Sequence, residues 1–205
     1  MTSYIEYSEK GNLHSYEKAP QTVGTYHAVI SALVERAGQI LSVESPSLLD
    51  IGSGNGIYAK ALSEEGFHVT ALDPSPASMR MTTSPKIYST LEDSQLSVNS
   101  FDIIHIKDVL EHLPNKGTFF SSCSRILRSP GIIMCVFNAI PSIVGPNEKT
   151  PPNQKYTLTT FDQIRTAASR SGIFFDDELL LWRPSKADDD WYEEPLIRAI
   201  AIGTK

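Results

Sequence analysis

The residues best suited to chemistry sit in the turn Asp50-Ile51-Gly52-Ser53-Gly54-Asn55-Gly56, which follows the apolar run Leu48-Leu49. Glycines at this spacing let the backbone bend sharply and let a ligand approach main chain that a Cβ would shield. A helix starting behind such a turn presents N–H groups that suit a ligand carboxylate. Asp73 closes the next apolar run, His68-Val69-Thr70-Ala71-Leu72, and is followed by Pro74. A carboxylate at the end of a second parallel strand is placed to accept hydrogen bonds from both hydroxyls of a ribose. Together these residues predict a nucleoside-containing ligand, held by Asp50, Gly52, Ser53, Gly54, Asp73 and Pro74.

A second concentration of chemistry is Lys107-Asp108-Val109-Leu110-Glu111-His112. If the chain turns helical at Asp108, steps of three and four bring Asp108, Glu111 and His112 onto one face. Three uses are open to that trio. Two carboxylates and an imidazole suit a divalent cation; His112, with Asp108 beside it, suits a base near neutral pH; and buried hydrogen bonds would simply fix the helix. His105, inside an apolar run, reads as a core or pocket-edge residue.

These side chains need a scaffold, and the apolar periodicity supplies one. Val23, Tyr26, Ile30, Leu33, Ala37 and Ile40 recur at helical steps and predict an amphipathic helix over about residues 22–43. Strands are expected at 47–51, 68–73, 86–90, 101–106 and 132–137, each a short apolar or β-branched run. Helices are expected after the glycine turn, from the Ser75-Pro76 cap, over 115–128 and from the capping box Thr160-Phe161-Asp162-Gln163. Strands alternating with helices imply a parallel sheet covered on both faces. The last two runs, 173–181 and 196–202, are separated by too few residues for a crossover helix and should pair antiparallel. The prediction is an α/β, doubly wound, seven-stranded sheet with the last strand reversed.

The motifs, taken in order, resemble those of class I S-adenosylmethionine-dependent methyltransferases, with a Rossmann-like fold. Leu48 to Gly56 is similar to that family's first motif, and Val69 to Asp73 to its second. Leu91-Glu92-Asp93 is similar to the acidic segment beside the adenine, Phe101-Asp102-Ile103-Ile104 to the fourth-strand motif, and Arg128-Ser129-Pro130-Gly131 to the turn before the fifth strand. The resemblance implies S-adenosyl-L-methionine as cofactor, adds Glu92, Asp93 and Lys107 to the cofactor-binding set, and makes His112 and Asp108 the candidate catalytic residues. Asp108-x-x-Glu111-His112 resembles the corresponding stretch of ubiquinone-pathway O-methyltransferases. It departs from the RNA 3′-end 2′-O-methyltransferases, since Pro114 stands where their final His would. No Asn/Asp-Pro-Pro-Tyr follows the fourth strand, and Asn138-Ala139-Ile140-Pro141 is no substitute, which argues against methylation of exocyclic amines on bases. The implied reaction is methyl transfer to a small-molecule acceptor, a hydroxyl oxygen first.

A dinucleotide frame starting at Gly52 puts Ile57 at its third small position, whereas one starting at Gly54 puts Ala59 there. Neither frame places the three small residues correctly, so a nicotinamide-dependent oxidoreductase stands only as the alternative, with a catalytically silent cofactor-binding scaffold as another. The whole composition bounds the rest. The chain has 205 residues, 40% hydrophobic and 20% charged, with a formal net charge of -6. That fits one globular domain: arm and helix over 1–45 with a possible lid, a cofactor-binding half over 46–138, and a lid loop with the acceptor side over 139–205. The acidic balance disfavours nucleic acid as partner. Cys123 and Cys135 lack metal-type spacing and read as reduced packing residues. With no basic-then-apolar start and no apolar run long enough to span a membrane, a cytoplasmic location is expected. Tyr4, Tyr7, His14, Tyr16, Tyr26 and His27 are candidates for a lid over the acceptor.

Overall fold

The computed structural model describes residues 20–140, 159–182 and 197–205. The early aromatic arm with Tyr4, Tyr7, His14 and Tyr16, the proline-rich loop beyond residue 140 and the acidic loop 186–194 lie outside the described residues.

Helix α1 (Pro20–Ile40) opens on a proline, whose missing N–H costs nothing in a first turn. It buries Ile30, Leu33 and Ala37 of the stripe that the spacing predicts, with Val29 added to it and Ile40 half-buried at its end. Strand β1 (Ser47–Ile51) leads through the glycine turn into α2 (Ile57–Glu64), and β2 (His68–Leu72) follows. Then come β3 (Lys86–Ile87), β4 (Phe101–Lys107), α3 (Lys116–Ile126) and β5 (Leu127–Ile140). The chain closes with β6 (Thr159–Thr160), α4 (Phe161–Ser169), β7 (Phe174–Trp182) and β8 (Ile197–Thr204).

Seven strands form one path in the order β3-β2-β1-β4-β5-β8-β7, and the two-residue β6 pairs beside β5. The strands from β3 to β5 are mutually parallel, while β8 runs antiparallel to both β5 and β7. This is the sheet with a reversed last strand that the sequence predicts. Side chains alternate across it. Leu48, Ile103, Met134, Val136 and Ile200 pack under α1 and α2; Leu49, Ile51, Ile104, Ile106, Cys135 and Phe137 pack under α3 and α4. Helices thus cover both faces. Among the described residues, no helix is long and apolar enough to cross a membrane.

Three local expectations change. The segment after Ser75-Pro76 forms a 3-10 turn over Ser78–Met81, not an α-helix, although the Ser75 hydroxyl does accept from the Ser78 N–H at 3.3 Å. Only Lys86 and Ile87 of the expected third strand pair. The turn Arg128 to Gly131 is absorbed into β5, where the register with β4 jumps from Phe101–Leu127 to Ile103–Ile132. The capping box at Thr160 and Gln163 forms in both directions, as its sequence requires.

Candidate functional site

In the parallel half of the sheet Ile51 pairs with both Leu72 and Ile106, so β1, β2 and β4 end level with one another. Whatever leaves these strands is gathered at one edge. The glycine turn, Asp73-Pro74 and Lys107-Asp108 all emerge there.

The turn is held by main chain. Gly52 and Ser53 both donate to the Leu72 carbonyl, at 2.8 and 3.2 Å, and Gly56 donates to Ser53 at 3.0 Å. Gly52, Gly54 and Gly56 all have positive φ, at 70°, 53° and 79°. The three are needed for different reasons. A Cβ on Gly52 would lie 2.2 Å from Val109 Cγ2, and one on Gly56 would lie 1.7 Å from Thr82 Oγ1. A Cβ on Gly54 would meet nothing nearer than the Gly52 carbonyl at 3.9 Å. Packing therefore excludes side chains at the outer two positions, whereas at the middle one no described atom stands closer than ordinary van der Waals contact.

Asp73 anchors this turn to the second strand. One carboxylate oxygen accepts from the Gly54 N–H at 3.0 Å and the other from the Ser75 N–H at 2.8 Å. The residue is only 3% exposed. Burial raises its pKa above the ordinary carboxylate value, the two N–H donors oppose that rise, and the nearby charge of Asp50 adds to it. Asp50, at the end of β1, is buried too, and the imidazole Nδ1 of His105 lies 2.6 Å from its Oδ1. Asp50 therefore sits under the turn, held by the neighbouring strand. Ser53 is buried, and Pro74 half-buried beside Asp73.

Glu92 and Asp93 lie in the loop before β4, both exposed. Asp93 is tied into its own turn, accepting from the Thr90 hydroxyl at 2.8 Å. On the other side of the turn, Lys107 pairs with Asp108 and lies with Nζ 5.4 Å from the centre of the Tyr58 ring.

The chain does not turn helical at Asp108. That residue has φ of +54°, donates its N–H to the Val136 carbonyl at 2.9 Å, and precedes a 3-10 turn over Leu110–His112. The α-helical face on which the expected trio rested is therefore not formed. The Asp108 charge bears on His112, opposing a lowering of the imidazole pKa that burial causes. Glu111 is buried, and its charge bears instead on Lys116 of α3 and Cys135 of β5. Among the described residues no three His, Cys, Asp or Glu side chains are grouped to hold a metal ion. A half-buried imidazole with a depressed pKa is neutral at pH 7 and can accept a proton.

Sequence reasoning missed Tyr58, which stacks on His105 with ring centres 5.3 Å apart. Its only signal was the register: Asp50 and His105 are direct cross-strand partners, which the position of His105 inside an apolar run did not disclose. His27, proposed for a lid, is exposed on α1.

Residues 49–135, the span from β1 to β5 that builds this edge, match a family model described as a methyltransferase domain. Over 100 residues the chain is 29% identical to the ubiquinone biosynthesis O-methyltransferase of Caulobacter vibrioides, covering 44% of this chain and 40% of that protein. The chain thus spans less than half the length of that curated relative. A putative sarcosine dimethylglycine methyltransferase from Galdieria sulphuraria superposes with a TM-score of 0.74 at 16% identity, over 90% of this chain and 86% of that one. Geranyl diphosphate C-methyltransferase from Streptomyces coelicolor, solved with S-adenosyl-L-homocysteine, superposes with a TM-score of 0.69 at 11% identity, over 91% and 86%. Residues 49–135 are therefore similar to a methyltransferase domain, and with the glycine turn on β1, the acidic end of β2 and the reversed β8 the chain has the Rossmann-like fold of those solved methyltransferases.

Proposed function

We propose that the chain binds S-adenosyl-L-methionine on the glycine turn and transfers its methyl group to a hydroxyl oxygen of a small molecule. The observation that carries this reading is the middle glycine. Among the described residues, nothing comes closer than 3.9 Å to a Cβ placed on this left-handed backbone, and its N–H is held by the carboxylate that ties the turn to β2. Gly52, Ser53 and Gly54 would line the amino-acid end of the cofactor; Asp73 and Pro74 the ribose; Glu92 and Asp93 the adenine. Asp50 supports the turn from beneath, and Lys107 borders the site on the methyl side. The carboxylates of Asp50, Asp73 and Asp108 favour a ligand carrying an ammonium and a sulfonium over the pyrophosphate of a nicotinamide cofactor.

When bound, the cofactor supplies an activated methyl group and a neutral thioether leaving group. What remains for the protein is to align the acceptor, keep water out and take one proton. His112 is the residue proposed to take that proton, a reading supported by its half-buried imidazole with a lowered pKa. As the acceptor oxygen took the methyl group from the cofactor's sulfur, the imidazole would hold the hydroxyl proton that is released. Asp108 stabilises the imidazolium that results. The similarity to ubiquinone biosynthesis O-methyltransferases over the cofactor half favours an oxygen acceptor, of which a phenol is the first to try. The net charge of -6 favours a small molecule over nucleic acid. Calorimetric titration with S-adenosyl-L-methionine and, in parallel, with NADH tests the cofactor. Release of S-adenosyl-L-homocysteine with a panel of phenols tests the reaction. Binding of NADH alone would overturn the reading, and cofactor binding without turnover on any hydroxyl, amine or carbon acceptor would leave a silent scaffold.

A further inference from the structure

The face of the sheet beneath α1 and α2 is apolar along most of its length, through Leu48, Val69, Ile103, Ile132 and Met134. At its C-terminal end it carries a row of charged and polar side chains instead. Asp50 and His105 are cross-strand partners, so they share a face; His105 and Lys107 are two residues apart on β4 and share it too. Tyr58, from the first turn of α2, lies across the row, its ring stacked on His105 and close to the Lys107 ammonium. Lys107 in turn pairs with Asp108. The Asp50–His105 contact fixes the plane of an imidazole that is wholly buried, and that imidazole fixes the phenol ring. A buried polar pair of this kind adds little stability over two apolar side chains of similar volume. Packing alone does not call for it.

We infer that Tyr58, braced by the Asp50–His105 pair, is a positioning residue: it holds Lys107 against Asp108 and thereby sets the charge that His112 meets. This deepens, and rests on, the proposed role of His112 as proton acceptor. The arrangement connects the floor of the glycine turn to the acceptor side through direct side-chain contacts, without passing through the cofactor. Ring stacking and the ammonium–ring contact require an aromatic at position 58; neither requires its hydroxyl.

The imidazole of His112 reports on the arrangement directly. Its resonance among the five histidines is assigned by its loss in His112→Asn and titrated by NMR in the intact chain, with no acceptor or cofactor present. In Tyr58→Leu, Lys107 loses the ring that positions it, Asp108 is less well neutralised, and the His112 titration moves upward by about 0.5 pH. Tyr58→Phe keeps the ring and titrates with the wild type. No movement in Tyr58→Leu, or the same movement in both variants, overturns the proposal. Because the readout needs no turnover, a failure here leaves the methyltransferase reading intact, and a failure to bind S-adenosyl-L-methionine leaves this titration interpretable.

Discussion

Replacing Gly54 with alanine separates what the turn does for the fold from what it does for a ligand. Among the described residues, a Cβ at this position meets no atom within ordinary contact distance except the Gly52 carbonyl, at 3.9 Å. The cost to the empty protein is therefore only that of holding an L-residue at φ +53°, about 1–2 kcal/mol. For a chain of this size that lowers the melting temperature by roughly 2–8 °C. The same change at Gly56 is of another kind. Its Cβ would fall 1.7 Å from Thr82 Oγ1 and 2.9 Å from the Thr82 Cα, so backbone has to move. A stability loss well beyond that of Gly54→Ala is expected. Binding should show the reverse order of sensitivity. A ligand lying over the turn occupies the space that the Gly54 Cβ enters, so Gly54→Ala should lose at least about tenfold in affinity for S-adenosyl-L-methionine, or 1.4 kcal/mol. Differential scanning calorimetry and isothermal titration calorimetry on the two variants measure both quantities. Native affinity in a folded Gly54→Ala protein would show that the ligand does not lie against this residue, and the placement of the cofactor would fall with it.

Three further outcomes follow from the same geometry. Asp73→Ala removes a carboxylate that anchors Gly54 and Ser75 and faces the proposed ribose, so cofactor affinity should drop by about 1.5–3 kcal/mol in calorimetry; unchanged affinity would refute the ribose assignment. The folded pKa of His112 lies below 6.5, so the unfolded state binds more protons between the two values. This residue's contribution to stability is thus full above pH 6.5 and declines as pH falls toward the folded pKa. As a base it should give kcat/KM an acidic limb centred below 6.5 with a plateau through pH 7–8, and a limb that persists in His112→Asn would assign the base elsewhere. Treatment with a chelator should leave the rate unchanged, because among the described residues no three His, Cys, Asp or Glu side chains are grouped to hold a metal ion; loss of activity restored by a divalent cation would contradict that expectation.

The features legible in the residue string were those whose cause is local. The succession of β1, α2 and β2 and of β4, α3 and β5, the stripe on α1, the capping box at Thr160 and the glycine turn all depend on neighbours a few positions away. Such periods and turn residues carry their conformation with them. The brevity of the link before β8 was likewise enough to predict its reversal. The helix expected after Ser75-Pro76 failed for a local reason as well: the cap formed, but the chain continued as a 3-10 turn.

The amino-acid sequence alone determined the layered α/β architecture, the reversed last strand and the place of the glycine turn, because backbone conformation and apolar period are set by adjacent residues. The distribution of charge around the site was decided only by tertiary structure. Asp50 and His105 are separated by 55 positions and meet because β1 and β4 pair in one particular register. Asp108 takes a left-handed φ where its N–H reaches Val136, and that bend sends Glu111 into the interior while His112 stays beside Asp108. Burial, partner and protonation of a side chain depend on what distant segments bring against it, and spacing along the chain holds no record of that.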